Sequence, residues 1–194
     1  MELTLSQPAP AGDRELVLRA QAGEAAAFGE LVQVYMRRAY FAALGLVGSH
    51  EDALDLSQEA FARAYRARNR IDAELPFYTW YYQILRRLCF NHIRNLRTRR
   101  EKLRQASEWL AEEAGSRAPG QNPEKAVERA ETRRRVQRAI EKLGDREREV
   151  LVLKEFEGLK YREIAELLGI PIGTVMSRLY TARRRLADLL EAGS

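Results

Sequence analysis

Residues 161–185 read YREIAELLGIPIGTVMSRLYTARRR and decide the class of fold. The stretch begins with the apolar spacing of an amphipathic helix, is interrupted at Gly169, and resumes as a second helix that ends in arginines. Glycine accepts the positive φ that a tight turn between two helices requires. The stretch therefore predicts a helix-turn-helix, which acts either alone or as one part of a larger DNA-binding protein.

Two further positions of this unit support the prediction. When Tyr161 is counted as the first residue, the fifth is Ala165, which is small where the two helices cross, and the fifteenth is Val175, which packs the second helix onto the first. The outward face of such a helix meets base edges and phosphates, and Thr174 also suits capping. The candidate DNA contacts are Thr174, Met176, Ser177, Arg178, Tyr180, Thr181, Arg183 and Arg184. A helical hairpin with a solvated basic face is the alternative interpretation.

The remainder of the chain is also helical in pattern, and no alternating strand pattern competes with it. We expect an all-α protein of two small helical domains joined by a flexible linker. Residues 1–12 read as a loose tail, 13–100 as the first domain, 101–122 as the linker, and 123–191 as the domain that carries the helix-turn-helix.

Charge is distributed unevenly along the 194 residues, whose formal net charge is +5. Residues 1–60 hold 4 Lys or Arg against 9 Asp or Glu, whereas residues 61–104 hold 12 against 3. A basic segment favours a polyanionic partner, and an acidic segment favours a protein partner.

Several classes of protein are disfavoured by what the sequence lacks. The single cysteine, Cys89, permits no intrachain disulfide and reads as a core residue. No signal peptide and no apolar run long enough to span a bilayer is present, so we expect a cytoplasmic protein without membrane insertion. The two histidines, His50 and His92, fit no metal-ligand spacing, and no phosphate loop or nucleophile motif occurs. We therefore expect neither an enzyme nor a cofactor.

Residues 76–100, PFYTWYYQILRRLCFNHIRNLRTRR, combine aromatic side chains with arginines. Rings that stack on bases, together with cations that follow the backbone, suit single-stranded DNA. Phe77 and Trp80 also sit at helical spacing, so core packing remains open for them. Upstream, residues 51–61, EDALDLSQEAF, form an acidic amphipathic helix that is either ordinary surface or a site for a protein partner.

The order of these parts resembles the bacterial RNA polymerase sigma factors, specifically the small extracytoplasmic-function (ECF) group. The resemblance covers about residues 13–190 and rests on DLSQEAFARAYR, PFYTWYYQILRRL with the following IRN, and AIEKLGDREREVLVLKEFEGLKYREIAELLGIPIGTVMSRLYTARRRL. It implies that the acidic helix docks on the β′ clamp of core RNA polymerase, that residues 69–100 melt and capture the −10 element, and that the second helix of the helix-turn-helix reads the −35 element. It also implies docking of the C-terminal domain on the β flap and control by an anti-sigma factor.

The residues that match these roles follow from the resemblance. Those for polymerase binding are Asp52, Asp55, Gln58, Glu59 and Phe61. Those for −10 DNA are Arg70, Ile71, Phe77, Trp80, Tyr81, Arg86, Arg87, Asn91 and Arg94. Arg87 stands where the family usually has Asn, so the −10 base preference is expected to differ. Met176 and Thr181 stand where charged residues are common, which favours more apolar contact at −35. Asn91 replaces a common Asp.

A stand-alone, dimeric helix-turn-helix regulator is the second hypothesis. It predicts affinity for duplex DNA without polymerase, and it leaves the aromatic and basic segment of residues 76–100 unexplained.

Overall fold

The computed structural model describes residues 12–111 and 135–192, with side chains over the same ranges apart from 103–111. The predicted tail up to residue 11, half of the predicted linker (112–122) and the first part of the predicted second domain (123–134) lie outside the described residues. The described chain is helical and contains no strand. The helices are α1 (Asp13–Gln21), α2 (Ala25–Val47), α3 (His50–Arg66), α4 (Phe77–Ala111), α5 (135–141), α6 (Asp145–Glu155), α7 (Tyr161–Leu168) and α8 (Ile172–Glu191), with a 3-10 turn at Arg68–Arg70.

The N-terminal domain is built around α2, which packs against α1, α3 and α4. Three alanines of α2, Ala39, Ala42 and Ala43, have no exposed surface, so neighbouring helices approach its backbone closely. Cys89 lies in this core, where burial raises the pKa of its thiol to about 12. The expectation that Cys89 is a core residue is confirmed.

Asp13 joins two helices rather than capping its own. It is the first residue of α1, whose N-cap is Gly12 without a side-chain cap. The Asp13 carboxylate accepts hydrogen bonds from the Tyr35 hydroxyl at 2.6 Å and from the backbone N–H of Phe77, where α4 begins, at 3.2 Å. One buried carboxylate therefore fixes the starts of both α1 and α4 against α2.

Helix α4 extends past residue 100 to Ala111. This corrects the predicted domain end, because residues 101–111 had been assigned to the linker. The physical reason is compositional, since EKLRQASEWLA contains mostly good helix formers and neither Gly nor Pro.

The C-terminal domain confirms the helix-turn-helix. Gly169 ends α7 in the left-handed conformation with φ 64°. Val175 is fully buried, and Ala165 packs against the same core. Helices α5, α6 and α8 meet in a second small cluster formed by Ile140, Leu143, Leu151 and Ala182.

The two domains pack directly against each other, chiefly through α2 and α6. Buried residues of both domains belong to one continuous apolar cluster. At the closest approach, a Cβ built on Gly45 of α2 would lie 2.7 Å from Cγ1 of Val152 in α6. Only glycine at position 45 allows this spacing without a shift.

Within the described residues, no helix is both long enough and apolar enough to cross a membrane.

Candidate nucleic-acid and polymerase interfaces

The predicted DNA-reading face of α8 is open to solvent. Met176 is 52% exposed and Tyr180 68% exposed, large values for such side chains. With Arg183, Arg184 and Tyr161 of α7 they line a shallow hollow at the surface. Ser177 and Thr181 are also exposed, whereas Thr174 and Arg178 are half-buried. The helix-turn-helix therefore presents the predicted residues together on an apolar surface flanked by arginines.

The hydroxyl groups of Ser177 and Thr181 bond to carbonyl groups of α8 itself, and Thr174 does not have the capping role that its position suggested. Helix α8 begins after Pro171 with no side-chain cap, so Thr174 does not cap it. The Ser177 hydroxyl donates to the Thr174 carbonyl at 3.1 Å, and the Thr181 hydroxyl donates to the Ser177 carbonyl at 3.0 Å. These bonds to the helix's own carbonyl groups leave the hydroxyl oxygens free to accept from a ligand.

Helix α4 has three faces with different neighbours. Phe77 and Tyr81 are fully buried in the N-terminal core, where Phe77 meets Phe28 at 6.0 Å between ring centroids and Tyr81 stacks on Phe61 at 4.3 Å. Ile71, in the preceding loop, is also buried. We predicted that Phe61 contacts polymerase and that Ile71, Phe77 and Tyr81 contact DNA. These predictions are corrected, because all four side chains are buried in the core and present almost no accessible surface to a partner.

The second face of α4 is accessible and carries the remaining −10 candidates. Trp80, Arg87, Asn91 and Arg94 recur at steps of seven, four and three residues, which places them along one stripe. Trp80 is half-buried, Arg87 and Arg94 are exposed, and Arg94 donates to the Asn91 side-chain oxygen at 3.0 Å. Arg70 is exposed on the 3-10 turn. One aromatic ring and several cations thus share this surface.

The third face of α4 contacts the C-terminal domain. Tyr78, Tyr82 and Arg86 follow one another at four-residue steps. Arg86 forms an ion pair with the buried carboxylate of Glu149, to which it donates from Nε and, at 2.9 Å, from Nη2. The Tyr82 hydroxyl donates to the same carboxylate at 3.3 Å. Arg86, a −10 candidate, is therefore engaged with α6 in this conformation.

A second buried carboxylate, Glu157, lies beyond the end of α6. It accepts from Arg38 of α2 at 2.8 Å and from the Tyr78 hydroxyl at 3.1 Å. Burial raises the pKa of both Glu149 and Glu157 above the ordinary carboxylate value, although their arginine partners oppose the shift. Sequence reasoning missed these contacts, because helical spacing alone does not indicate that Tyr78 and Tyr82 face another domain.

In each domain, one helix end is capped by a side chain of the other domain. Arg148 is 1% exposed and donates to the carbonyl of Leu46, in the last turn of α2, at 3.2 Å. Gln83 of α4 donates to the carbonyl of Leu167, near the end of α7, at 2.7 Å. The last carbonyl groups of a helix have no partners within it, so these bonds satisfy both helices across the interface.

The acidic helix α3 presents part of the predicted polymerase set. Asp55 and Gln58 are exposed and lie one turn apart. Asp52 lies 3.3 Å from His92 Nε2 of α4, and Glu59 pairs with Arg63 at 2.7 Å and Arg66 at 3.4 Å. The accessible centre of the set is therefore Asp55 with Gln58.

No group of metal-ligating side chains is found in the part of the chain that the structure describes.

Comparison with known proteins agrees with this geometry. Residues 31–100 match the family model "Sigma-70 region 2", and residues 133–186 match "Sigma-70, region 4". The RNA polymerase sigma-H factor of Pseudomonas aeruginosa is 35% identical over 92% of this chain and 94% of its own length. The ECF RNA polymerase sigma factor SigW of Bacillus subtilis is 33% identical over 91% of this chain and 96% of its own length. The solved structure of CnrH in complex with the cytosolic domain of CnrY is similar with a TM-score of 0.67 and 27% identity, over 94% of this chain and 99% of that one.

A helical domain with a basic, aromatic surface and a helix-turn-helix domain in one chain define the class of bacterial transcription initiation factors built from sigma-70 regions 2 and 4. The chain belongs to the extracytoplasmic-function group of RNA polymerase sigma factors. The two matched regions correspond to the N-terminal domain and to the helix-turn-helix domain. Nothing in the comparisons supports a stand-alone helix-turn-helix regulator.

Proposed function

We propose that this sigma factor binds core RNA polymerase, recognises a −35 and a −10 promoter element, and helps to melt the promoter. The observation that carries the proposal is the presence, in one chain, of two separate accessible surfaces with the side chains that DNA requires. One is the face of α8 around Tyr180, and the other is the stripe of α4 around Arg87.

The two surfaces suit different forms of DNA. A helix-turn-helix places its second helix in the major groove of duplex DNA, where Met176 would contact apolar groups and Arg184 a phosphate. The α4 stripe combines Trp80, whose ring could stack on an unpaired base, with Arg87 and Arg94, whose charges suit the backbone. Unstacking a base costs a few kcal/mol, and such contacts offset that cost.

The exposed pair Asp55 and Gln58 on α3 is the proposed contact with the β′ clamp, and the C-terminal domain is proposed to meet the β flap. The protein is proposed to act without catalytic activity of its own and in the cytoplasm, where the chromosome and polymerase are. An anti-sigma factor is a proposed regulator, and CnrH, to which this chain is similar, has been solved in complex with the cytosolic domain of a second protein, CnrY.

Binding to polymerase is the first test of this function. The purified protein is mixed with bacterial core RNA polymerase and the mixture is separated by size-exclusion chromatography. We expect co-elution with the core enzyme and none with holoenzyme already loaded with another sigma factor. Specific binding to duplex DNA by the protein alone, without co-elution, would contradict the proposal.

A further inference from the structure

The loop between α3 and α4, residues 67–76, is tied at its start to the end of α1. Gln21 is the last residue of α1, and its Nε2 donates to the carbonyl group of Arg68 at 3.2 Å and to that of Ile71 at 2.8 Å. A side-chain amide nitrogen carries two hydrogens, so both are used on the loop backbone. In return, Arg68 Nε donates to the carbonyl group of Ala20, in the last turn of α1, at 3.0 Å. These bonds fix the first turn of the loop against α1.

The end of the same loop is tied to the beginning of α1. The buried carboxylate of Asp13 accepts from the backbone N–H of Phe77 at 3.2 Å. Phe77 begins α4, and Trp80, the accessible ring of the α4 stripe, follows one turn later with 6.4 Å between the two ring centroids. Asp13 therefore sets the place at which the loop enters the surface proposed for unpaired DNA.

Between these two anchors, the loop exposes polar groups and contains a turn of its own. Asn69, Arg70 and Asp72 are exposed. The Asp72 side chain accepts from the backbone N–H of Glu74 at 2.9 Å, and the Asp72 carbonyl accepts from that of Leu75 at 3.2 Å. A segment whose backbone is already fixed loses less conformational freedom when it binds a ligand. The loop is therefore preorganised by α1 before any DNA arrives.

We propose that α1 is a positioning element for recognition of the −10 element, and that Gln21 is a positioning residue that sets base preference there by fixing the loop of residues 67–76. The inference rests on the proposed function, because it takes Arg70 and the α4 stripe as the surface that meets unpaired DNA. Gln21 acts through the loop backbone, since both of its donors are already used within the protein.

One substitution removes the anchor while keeping the size of the side chain. Gln21→Met retains an unbranched chain of similar length that adapts to its surroundings, but it cannot donate to the two carbonyl groups. Gln33→Met is the matched control, because it makes the same chemical change at an exposed position of α2. The two variants differ in whether the glutamine holds the loop.

Amide hydrogen exchange of the free, full-length protein measures the anchoring itself. The backbone N–H groups of Arg70 and Ile71 donate within the 3-10 turn that Gln21 holds. We expect both to exchange about tenfold faster in Gln21→Met, as the loss of two hydrogen bonds predicts. Gln33→Met should match the wild type. Unchanged protection in Gln21→Met would show that this residue does not hold the loop, and would overturn the proposal.

Transcription with core RNA polymerase from a library with a randomised −10 element measures the role in recognition. The readout is a ratio of start frequencies between bases at each −10 position, from which the fraction of active protein cancels. In Gln21→Met the preference at one or more positions should fall by about fivefold or more, the discrimination that one base contact provides. Gln33→Met should keep the preference of the wild type.

Two results of this experiment would overturn the positioning role. In the first, Gln21→Met exchanges faster but keeps every base preference. In the second, all its starts fall alike and the ratios stay unchanged, which is what a purely structural defect produces. Either result leaves the proposed function intact if the wild type shows a −10 preference. A wild-type protein without any −10 preference would refute the proposed function and the positioning role together, whereas hydrogen exchange would still report whether α1 holds the loop.

Discussion

Arg38 and Glu157 lie in different domains and form an ion pair in which 2.8 Å separates Arg38 Nε from Glu157 Oε2. The Glu157 side chain is fully buried. The Arg38 guanidinium also lies 3.7 Å from the ring centroid of Tyr78, whose hydroxyl donates to the other oxygen of Glu157. The carboxylate is therefore satisfied only while the domains are packed together. This makes the relative orientation of the domains sensitive to the ionisation of one side chain.

The interface is expected to tighten at acidic pH. Burial raises the pKa of Glu149 and Glu157 above the ordinary value of 4.5, so the closed form binds protons more tightly than the open form. Their contribution to closure is complete below pH 4.5 and is lost as the pH rises through the raised pKa values. The groups that face them are Arg38 and Tyr78, and Arg86, Tyr82 and Arg178.

Energy transfer between dyes on the two domains, measured from pH 4.5 to neutrality, checks this prediction. It should fall as the pH rises. The double variant Glu149→Gln with Glu157→Gln cannot titrate at these positions and should show a flatter profile. The pair Arg97–Asp145 also crosses the interface, but both side chains are about half exposed, so it contributes at most about 1 kcal/mol. A profile that rises with pH in the wild-type protein would contradict the account.

Phe77 is expected to act in folding rather than in DNA binding. Its ring is fully buried among aromatic neighbours, so Phe77→Ala should lower the free energy of unfolding by about 3–5 kcal/mol. Urea denaturation followed by circular dichroism measures the change. Leu75→Ala, at a nearby position with 54% exposure, should cost no more than about 0.5 kcal/mol. Equal unfolding midpoints for both variants would show that Phe77 is not a core residue.

Periodicity predicted which residues of α4 share a face, but it could not say which neighbour each face meets. The aromatic cluster contains core rings such as Phe77, an accessible ring in Trp80, and interface rings such as Tyr82. These differ only in their angle around the helix. Glu149 was equally unpredictable, because a charged side chain inside an apolar run reads as solvent-exposed unless its partner in the other domain is known.

Local constraints, in contrast, were sufficient for the helix-turn-helix. Gly169 needs a positive φ, and Val175 needs an apolar neighbour one helix away, and both requirements are met within the same short unit. The full length of α4 was not predicted, because residues 101–111 were assigned to the linker. Residues 101–111 in fact favour a helix by composition.

Arg184 is expected to contact a phosphate of the −35 element. It is exposed and lies on the same face as Met176 and Tyr180. Arg184→Ala should lower the affinity for −35 duplex DNA and reduce the slope of log K against log salt by about 0.9, the value for one phosphate contact. Arg185→Ala is the matched control, because Arg185 is turned toward α6 and pairs with Glu147 at 3.1 Å. Equal slopes for the two variants would mean that another face of α8 meets DNA.

Asp55 and Gln58 are expected to bind polymerase without affecting DNA recognition. Both side chains are exposed on α3, so their removal should leave the fold unchanged. Asp55→Ala with Gln58→Ala should weaken binding to core polymerase by about tenfold or more, since interface anchors contribute more than 1 kcal/mol. Affinity for −35 duplex DNA should not change.

Helix α2 offers a control with the same chemistry. Glu30→Ala with Gln33→Ala removes an exposed acid and an exposed amide at the same three-residue spacing. Polymerase titrations by fluorescence anisotropy should separate the two double variants. If both bind core polymerase as tightly as wild type, the contact surface lies outside α3.

Transcription by purified core RNA polymerase on a library of DNA fragments, with start sites mapped by sequencing, tests the central claim most directly. The account predicts starts that require this protein, with two sequence motifs, one near −10 and one near −35, upstream of the aligned starts. Starts that do not depend on the protein, or an aligned set with no motif at either position, would contradict it.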